Sequence, residues 1–412
     1  MIDSFGVFFV ILFLLCLLVI NRIIFGVNVC VPNVLIVSWL AILIVALFFA
    51  EQQISFLSSL LLLIAISSFV IGYYTLAGRT RLVQYEQGDV KISDSALIII
   101  IIIISTIDII MEFSGYEYCA NISGIQELFY NGRKNNLNTL SAGEVSVKDN
   151  IQSVAVYLYV ALYLLRMKYK GTSCVLFVLA GTFVFVSCVL TYSKQAVIVF
   201  VLSLFLCELF FSKDRINKTV FLFVVIFFCS LVGMIYLLNN AGISSSGNVL
   251  ISIRTLVNSY FLGGMYGFDA IVNGSITPGY NGGYLKPILA ILYRLNLVSE
   301  YPRTHMEFYF NKDIYSNIYS GMYQAIQNFG YVELIIIMFA NGIFYGFFTR
   351  SARKKINFMT TMLPFFLTQL ILLPINGDLA ITLSLYMIKM YIVYLLFVNK
   401  IVNYGEHYHA KH

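Results

Sequence analysis

The chain has 412 residues, 60% of them apolar and only 11% charged, with a mean hydropathy of +0.86 and a formal charge of +6. Water-soluble domains carry about a quarter charged residues, so this composition excludes one. Only six prolines occur, and unbroken apolar runs such as Leu97–Ile104 point to membrane-spanning helices, because barrel strands would alternate.

A spanning helix needs about 20 apolar residues. Eleven segments qualify in chain order: 5–24, 33–50, 55–75, 96–113, 151–167, 172–191, 195–211, 219–238, 330–349, 357–374 and 379–398. The expected fold is therefore all-α, a polytopic membrane domain over 1–412 with about 11 transmembrane helices. The start does not read as a cleavable signal: Asp3 is its only early charge, and no basic stretch precedes the apolar run.

Lys and Arg set the sidedness. With eleven spans, sixteen of the 26 Lys/Arg fall on one side and nine on the other, with Lys389 inside the last span. The positive-inside rule makes the richer side cytoplasmic, the bias being sharpest in short loops such as Thr349–Lys355. The segments 114–150 and 239–332 then face outward. The first is rich in Asn and Gly, with a short helix expected over Ile125–Tyr130.

The larger outward loop has more pattern. Ile253, Leu256, Val257 and Tyr260 predict a helix within Val249–Phe261. Ser275–Tyr284 is turn chemistry, and Pro287 starts a helix with Ile288, Ile291, Leu292 and Leu295 on one face. Ser316–Phe329 is a further helical segment. These pieces are too short for a soluble core and are expected to lie at the interface or dip into the bundle.

Seven cysteines build no disulfide framework, because only Cys119 falls in an outward loop. No zinc spacing, P-loop or dinucleotide fingerprint occurs, and no Asp-x-Asp lies in an outward loop. No cofactor, metal or nucleic acid is expected.

The outward cations stand out. Lys194 follows the sixth span, and the large loop holds five more, Arg254, Lys286, Arg294, Arg303 and Lys312, of which Arg254 and Arg294 sit within apolar helical patterns. Guanidinium groups match phosphate oxygens as a fork and lysine binds them as a point charge, although cations near helix ends also snorkel to headgroups. His305, flanked by Arg303 and Glu307, is the one histidine outside the C-terminal tail. It reads either as an outward general base or as an ordinary loop residue. Asp378, in Asn376-Gly377-Asp378, reads as a sugar-orienting acid or a plain turn residue. Lys389 needs a partner within the membrane, for which Glu208 is a candidate. Tyrosines, Tyr319 among them, stud the large loop and suit both sugar stacking and interfacial anchoring. Gly342 and Gly346 form a GxxxG that close helix packing explains.

Asn317-Ile318-Tyr319-Ser320, followed by Asn328-Phe329-Gly330-Tyr331, resembles the Wzy O-antigen or oligosaccharide repeat-unit polymerases. Tyr192-Ser193-Lys194-Gln195 resembles their Ser-Arg segment with Lys in place of Arg. Asn376-Gly377-Asp378 resembles their Arg-Gly-Asp/Ser turn with Asn in place of Arg. The resemblance implies a GT-C-like glycosyltransferase of the bacterial inner membrane with its active site facing the periplasm. It would join repeat units carried on undecaprenyl pyrophosphate. Arg254, Arg303, His305 and Glu307 would be catalytic, with either His305 or Glu307 as the base. Lys194, Lys286, Arg294, Tyr319 and Asp378 would hold the pyrophosphate and glycan. Membrane lipids, a Wzz-type chain-length regulator and a flippase are the implied partners. An O-antigen ligase shares the architecture and donor. A lipid-linked oligosaccharide flippase is the rival of another class, but it needs cations at mid-membrane depth, where only Lys389 lies.

Sidedness is directly testable. In a chain cleared of native cysteines, His305→Cys reacts with an impermeant maleimide applied outside, whereas Lys354→Cys reacts only after permeabilisation. The reverse pattern would overturn the topology.

Overall fold

A backbone crossing hydrocarbon must satisfy its polar groups internally, and long runs of Ile, Leu, Phe and Val do so as helices. The computed structural model describes residues 4–25, 30–78, 85, 90–114, 147–190, 194–212, 254, 257–275, 285–299, 308–309, 315–316, 321–326, 330–352, 356–375, 378–379 and 383–409. Among these, the helices are α1 (Ser4–Phe25), α2 (Val31–Phe49), α3 (Phe56–Ala77), α4 (Ser95–Ser114), α5 (Val147–Lys168), α6 (Cys174–Leu190) and α7 (Lys194–Phe211). They continue as α8 (Gly263–Val272), α9 (Lys286–Arg294), α10 (Tyr331–Ser351), α11 (Phe358–Leu372), α12 (Ser384–Val393) and α13 (Asn399–His409).

Seven helical segments among the described residues are long and apolar enough to cross a membrane: Gly6–Ile23, Val31–Phe49, Phe56–Ala77, Ser95–Glu112, Asn150–Lys168, Tyr331–Ser351 and Ser384–Tyr404. Cys174–Leu190, Gln195–Phe211 and Phe358–Leu372 are shorter apolar helices. The chain is thus a helical, membrane-embedded protein. Ten of the eleven segments expected from sequence are apolar helices here, and the eleventh, 219–238, lies outside the described residues. Large apolar side chains such as Ile23, Phe48 and Val175 are left uncovered by protein, as lipid-facing positions require.

Two compact units divide the chain. The first comprises Met1–Arg81, Ser246–Arg353 and Phe366–Tyr386, and the second Leu82–Ser245, Lys354–Phe365 and Met387–His412. Pro364 lies inside α11 and cannot donate to the preceding turn, and the division falls just after it.

In the first unit α3 packs along α10, with α1 against α2 and α3. Glycines permit this closeness: a Cβ on Gly342 would overlap the Phe69 carbonyl, one on Gly346 the Tyr73 carbonyl, and one on Gly72 the Phe339 carbonyl. The GxxxG therefore works by close packing, as its spacing implied. Beside it, Tyr345 donates to the Phe366 carbonyl at 2.6 Å, and Phe348 meets the Phe366 ring edge-on at 4.9 Å.

Segment 239–332 departs from its sequence pattern in two places. The described part of Val249–Phe261 is Arg254 and a π-helical turn, Val257–Phe261, followed by α8. Sequence periodicity does not announce α8, because Gly263, Gly264 and Gly267 disfavour a helix; burial of Met265, Tyr266 and Phe268 outweighs that propensity. In place of a helix over Ser316–Phe329, Tyr315–Ser316 pairs antiparallel with Phe308–Tyr309, and Gly321–Ala325 is a single 3₁₀ turn. The Gly321 N–H donates to the Leu373 carbonyl at 3.0 Å, a tertiary bond that competes with a continuous helix. The helix at Pro287 forms as expected, and Ile288, Ile291 and Leu295 remain exposed, as an interfacial helix requires. The expected short helix Ile125–Tyr130 lies outside the described residues.

In the second unit α5 is central, with Ala155–Leu162 buried on every side. Its polar groups find partners: Tyr157 with Thr361 at 2.8 Å, Tyr163 with Glu208 at 2.5 Å, and Gln152 with the Ser187 carbonyl at 3.4 Å. Lys389 donates to Asn150 Oδ1 at 3.0 Å and Ser153 Oγ at 2.7 Å. The expected Lys389–Glu208 pair is therefore replaced: neutral oxygens at the start of α5 receive the ammonium, and Glu208 accepts from Tyr163. Where α4 begins, Asp94 takes Arg166 Nε at 2.7 Å and both the N–H and hydroxyl of Thr172, at 3.0 and 2.6 Å. Burial alone would raise the Asp94 carboxyl, but those hydrogen bonds outweigh it and hold its pKa below the usual value.

Gly342→Leu should separate α3 from α10 and destabilise the first unit by about 1–3 kcal/mol. Thermal unfolding in detergent measures this, and an unchanged transition would refute the packing argument.

Candidate functional site

The described part of segment 239–332 is joined to the rest of the first unit at the turn between α2 and α3. Ser55 caps α3, accepting from the Ser58 N–H at 3.2 Å. Its own N–H and hydroxyl reach Asp269 Oδ1 at 2.9 and 2.7 Å, which ties the cap to α8.

Next to this lies Asn258, on the π turn and fully buried. Its Oδ1 accepts from the Tyr266 hydroxyl at 2.6 Å and from the Glu51 N–H at 3.2 Å. Its Nδ2 donates to the Phe49 and Arg254 carbonyls, each at 3.0 Å. An amide offers two donors and two acceptor positions, so Asn258 is fully satisfied and its orientation is set by the network. Tyr266 also approaches the Glu51 N–H at 3.0 Å. Burial pushes the Tyr266 phenol above its ordinary pKa, outweighing the N–H groups that lower it, so it stays a neutral donor.

Above this buried node stands an ion pair, with Arg254 Nε 2.9 Å from Glu51 Oε1. The Arg254 side chain is 59% exposed and that of Glu51 27%. The guanidinium meets Glu51 through Nε, and among the described residues no other ion pair or hydrogen bond holds it. A fixed guanidinium edge in the open is suited to phosphate oxygens.

Of the residues singled out by sequence, Arg254 and Asp378 can be placed with their surroundings. Asp378 is half-buried, and its N–H donates to Gln369 Oε1 at 3.1 Å. The two are held by separate partners. Lys194 opens α7, and Lys286 and Arg294 open and close α9; their side chains are not among those described. Arg303, His305, Glu307 and Tyr319 lie outside the described residues. Sequence reasoning missed Glu51, Asn258 and the capping role of Asp269. The only signal was the polar break Glu51-Gln52-Gln53 between two apolar runs.

No protein-family model matches this chain, and neither a curated protein nor a solved structure is significantly similar to it.

Removing the central amide takes a hydrogen-bond partner from four groups at once. Asn258→Ala should destabilise the first unit by about 1–3 kcal/mol, the cost of leaving buried polar groups unpaired. Glu51→Ala, which removes an exposed ion pair, should change stability by less than about 1 kcal/mol. Thermal unfolding in detergent separates the two; equal effects would show that the amide is not the anchor.

Proposed function

We propose that the chain polymerises undecaprenyl-pyrophosphate-linked oligosaccharide repeat units into an O-antigen-type polysaccharide at the periplasmic face of the bacterial inner membrane. The observation that carries this reading is Arg254. It is a mostly exposed guanidinium in an outward loop, and its backbone is fastened to a buried amide in a helical membrane protein. Positive charge on the outer side runs against the usual topological bias, so a use for it is called for.

The chemistry is a glycosyl transfer between two lipid-linked partners. An acceptor hydroxyl attacks the anomeric carbon of the growing chain. Its proton passes to His305 or Glu307, and the anomeric C–O bond to the pyrophosphate breaks. The leaving group is undecaprenyl pyrophosphate, already activated, so no nucleotide is consumed. Negative charge grows on its oxygens in the transition state, where placed cations are most effective. Arg254 and Arg303 meet that charge in this reading, while Lys194, Lys286 and Arg294 bind the pyrophosphate. Tyr319 and Asp378 face the glycan. The eleven-span, GT-C-like arrangement belongs to the same proposal. So do the engagement of a Wzz-type chain-length regulator and of a flippase that delivers repeat units from the cytoplasmic side.

A deletion strain tests the reaction class. Loss of a polymerase leaves surface glycan with a single repeat unit, loss of a ligase leaves none attached, and loss of a flippase accumulates units inside. In the complemented strain Arg254→Ala should lower polymerisation by on the order of 10²-fold, as removal of one transition-state donor does elsewhere. An intact glycan ladder from normally expressed Arg254→Ala protein would remove the residue from the site.

A further inference from the structure

We infer that Glu51 is a positioning residue for Arg254: it holds the guanidinium by its Nε edge so that the terminal Nη edge faces a lipid-linked diphosphate. The inference rests on the anion-binding role proposed for Arg254 and adds the residue that aims it.

An exposed ion pair contributes about 0–1 kcal/mol, too little to account for elaborate support. Yet both members of this pair are fastened through a single buried side chain. Asn258 accepts from the Glu51 N–H and donates to the Arg254 carbonyl, so one amide sets the backbones of the cation and its counter-ion together. Tyr266 reaches the same Glu51 N–H at 3.0 Å and is itself buried against Asn258. Phe49, the last residue of α2, is bound from the other amide proton. The support is thus dry and satisfied, while the pair it carries stands in the open.

Such an arrangement sets direction more than stability. An arginine side chain has several rotatable bonds, and an unheld guanidinium 59% exposed would sample many orientations. A carboxylate 2.9 Å from Nε restricts that sampling and selects which edge is presented. The edge left over is the one that binds two phosphate oxygens side by side. Glu51 also formally neutralises the Arg254 charge, so long-range attraction for small anions is weak and binding depends on directed contacts with the guanidinium. Ser55 and Asp269 brace the same turn from its far end, which keeps the Glu51 backbone in register with α8.

The test uses the full chain, purified in detergent, with farnesyl pyrophosphate and inorganic pyrophosphate as separate probes and polymerisation as a second readout. If Glu51 aims Arg254, Glu51→Ala weakens farnesyl pyrophosphate binding about tenfold, while Glu51→Gln, which keeps a carbonyl oxygen opposite Nε, stays within about twofold of the parent. In polymerisation assays Glu51→Ala then lowers kcat more than it raises KM, because the charge being met develops in the transition state. Thermal transitions of both variants should stay close to the parent, as expected for an exposed pair, so the kcat-against-KM split and the rescue by Glu51→Gln are what separate aiming from a merely structural role. Binding by Glu51→Ala equal to or tighter than the parent overturns the proposal, the tighter result marking Glu51 as a competitor for Arg254. Equal loss in Glu51→Gln and Glu51→Ala overturns it as well. Those outcomes leave the anion site intact so long as Arg254→Ala abolishes binding. A parent protein that binds neither probe removes the site itself, and the aiming role with it. Binding of inorganic pyrophosphate as tight as that of farnesyl pyrophosphate would overturn the lipid-linked part of the assignment.

Discussion

A primary amide that makes all four of its hydrogen bonds inside a membrane protein is a strong constraint, and Asn258 is that amide here. Breaking any of its bonds strands a polar group where water does not reach. The chain must therefore bring the end of α2, the turn at Glu51, the backbone of Arg254 and the ring of Tyr266 to one point. The position of the large loop on the first unit follows from that requirement. Asp269 extends it by taking the Ser55 cap, so the start of α3 and the face of α8 belong to the same construction.

The same rule operates in the second unit with different residues. Lys389 inside an apolar helix is tolerated because Asn150 and Ser153 receive its protons, and Glu208 because Tyr163 donates to it. Asp94 stays charged where it is buried because Arg166 and Thr172 converge on it. Each costly group is settled by close neighbours. Helix approach then depends on small residues, as at Gly72, Gly342 and Gly346, where backbone meets backbone.

Function follows from what the first unit leaves exposed. A mostly exposed guanidinium steadied from beneath can meet a diphosphate, and the segment that carries it, 239–332, holds five Lys/Arg in its sequence. In the proposed reaction these cations would take the part that a divalent ion takes in Asp-x-Asp enzymes. The Glu51 carboxylate keeps the charge from being indiscriminate, because it fixes direction and reduces the pull on small anions.

Much of the architecture was open to reading in the sequence. The helices begin and end within a few residues of the apolar runs, as with 5–24 against Ser4–Phe25 and 96–113 against Ser95–Ser114, because the length of hydrocarbon to be crossed is a local property of the chain. The amphipathic helix at Pro287 was equally visible, since its cap and its apolar face are local too. The site was legible only in part. Arg254 stood out as a cation against the topological bias, but Glu51 and Asn258 are 207 positions apart, and no local pattern says that they touch. Glycine-rich α8 and the partners of Lys389 were hidden for the same reason: burial by distant segments outweighed local preference. Local hydrophobicity thus determined which segments lie in the membrane, whereas the tertiary structure alone decided which polar groups meet. That choice depends on satisfying each buried donor and acceptor with whatever the folded chain brings within hydrogen-bonding distance.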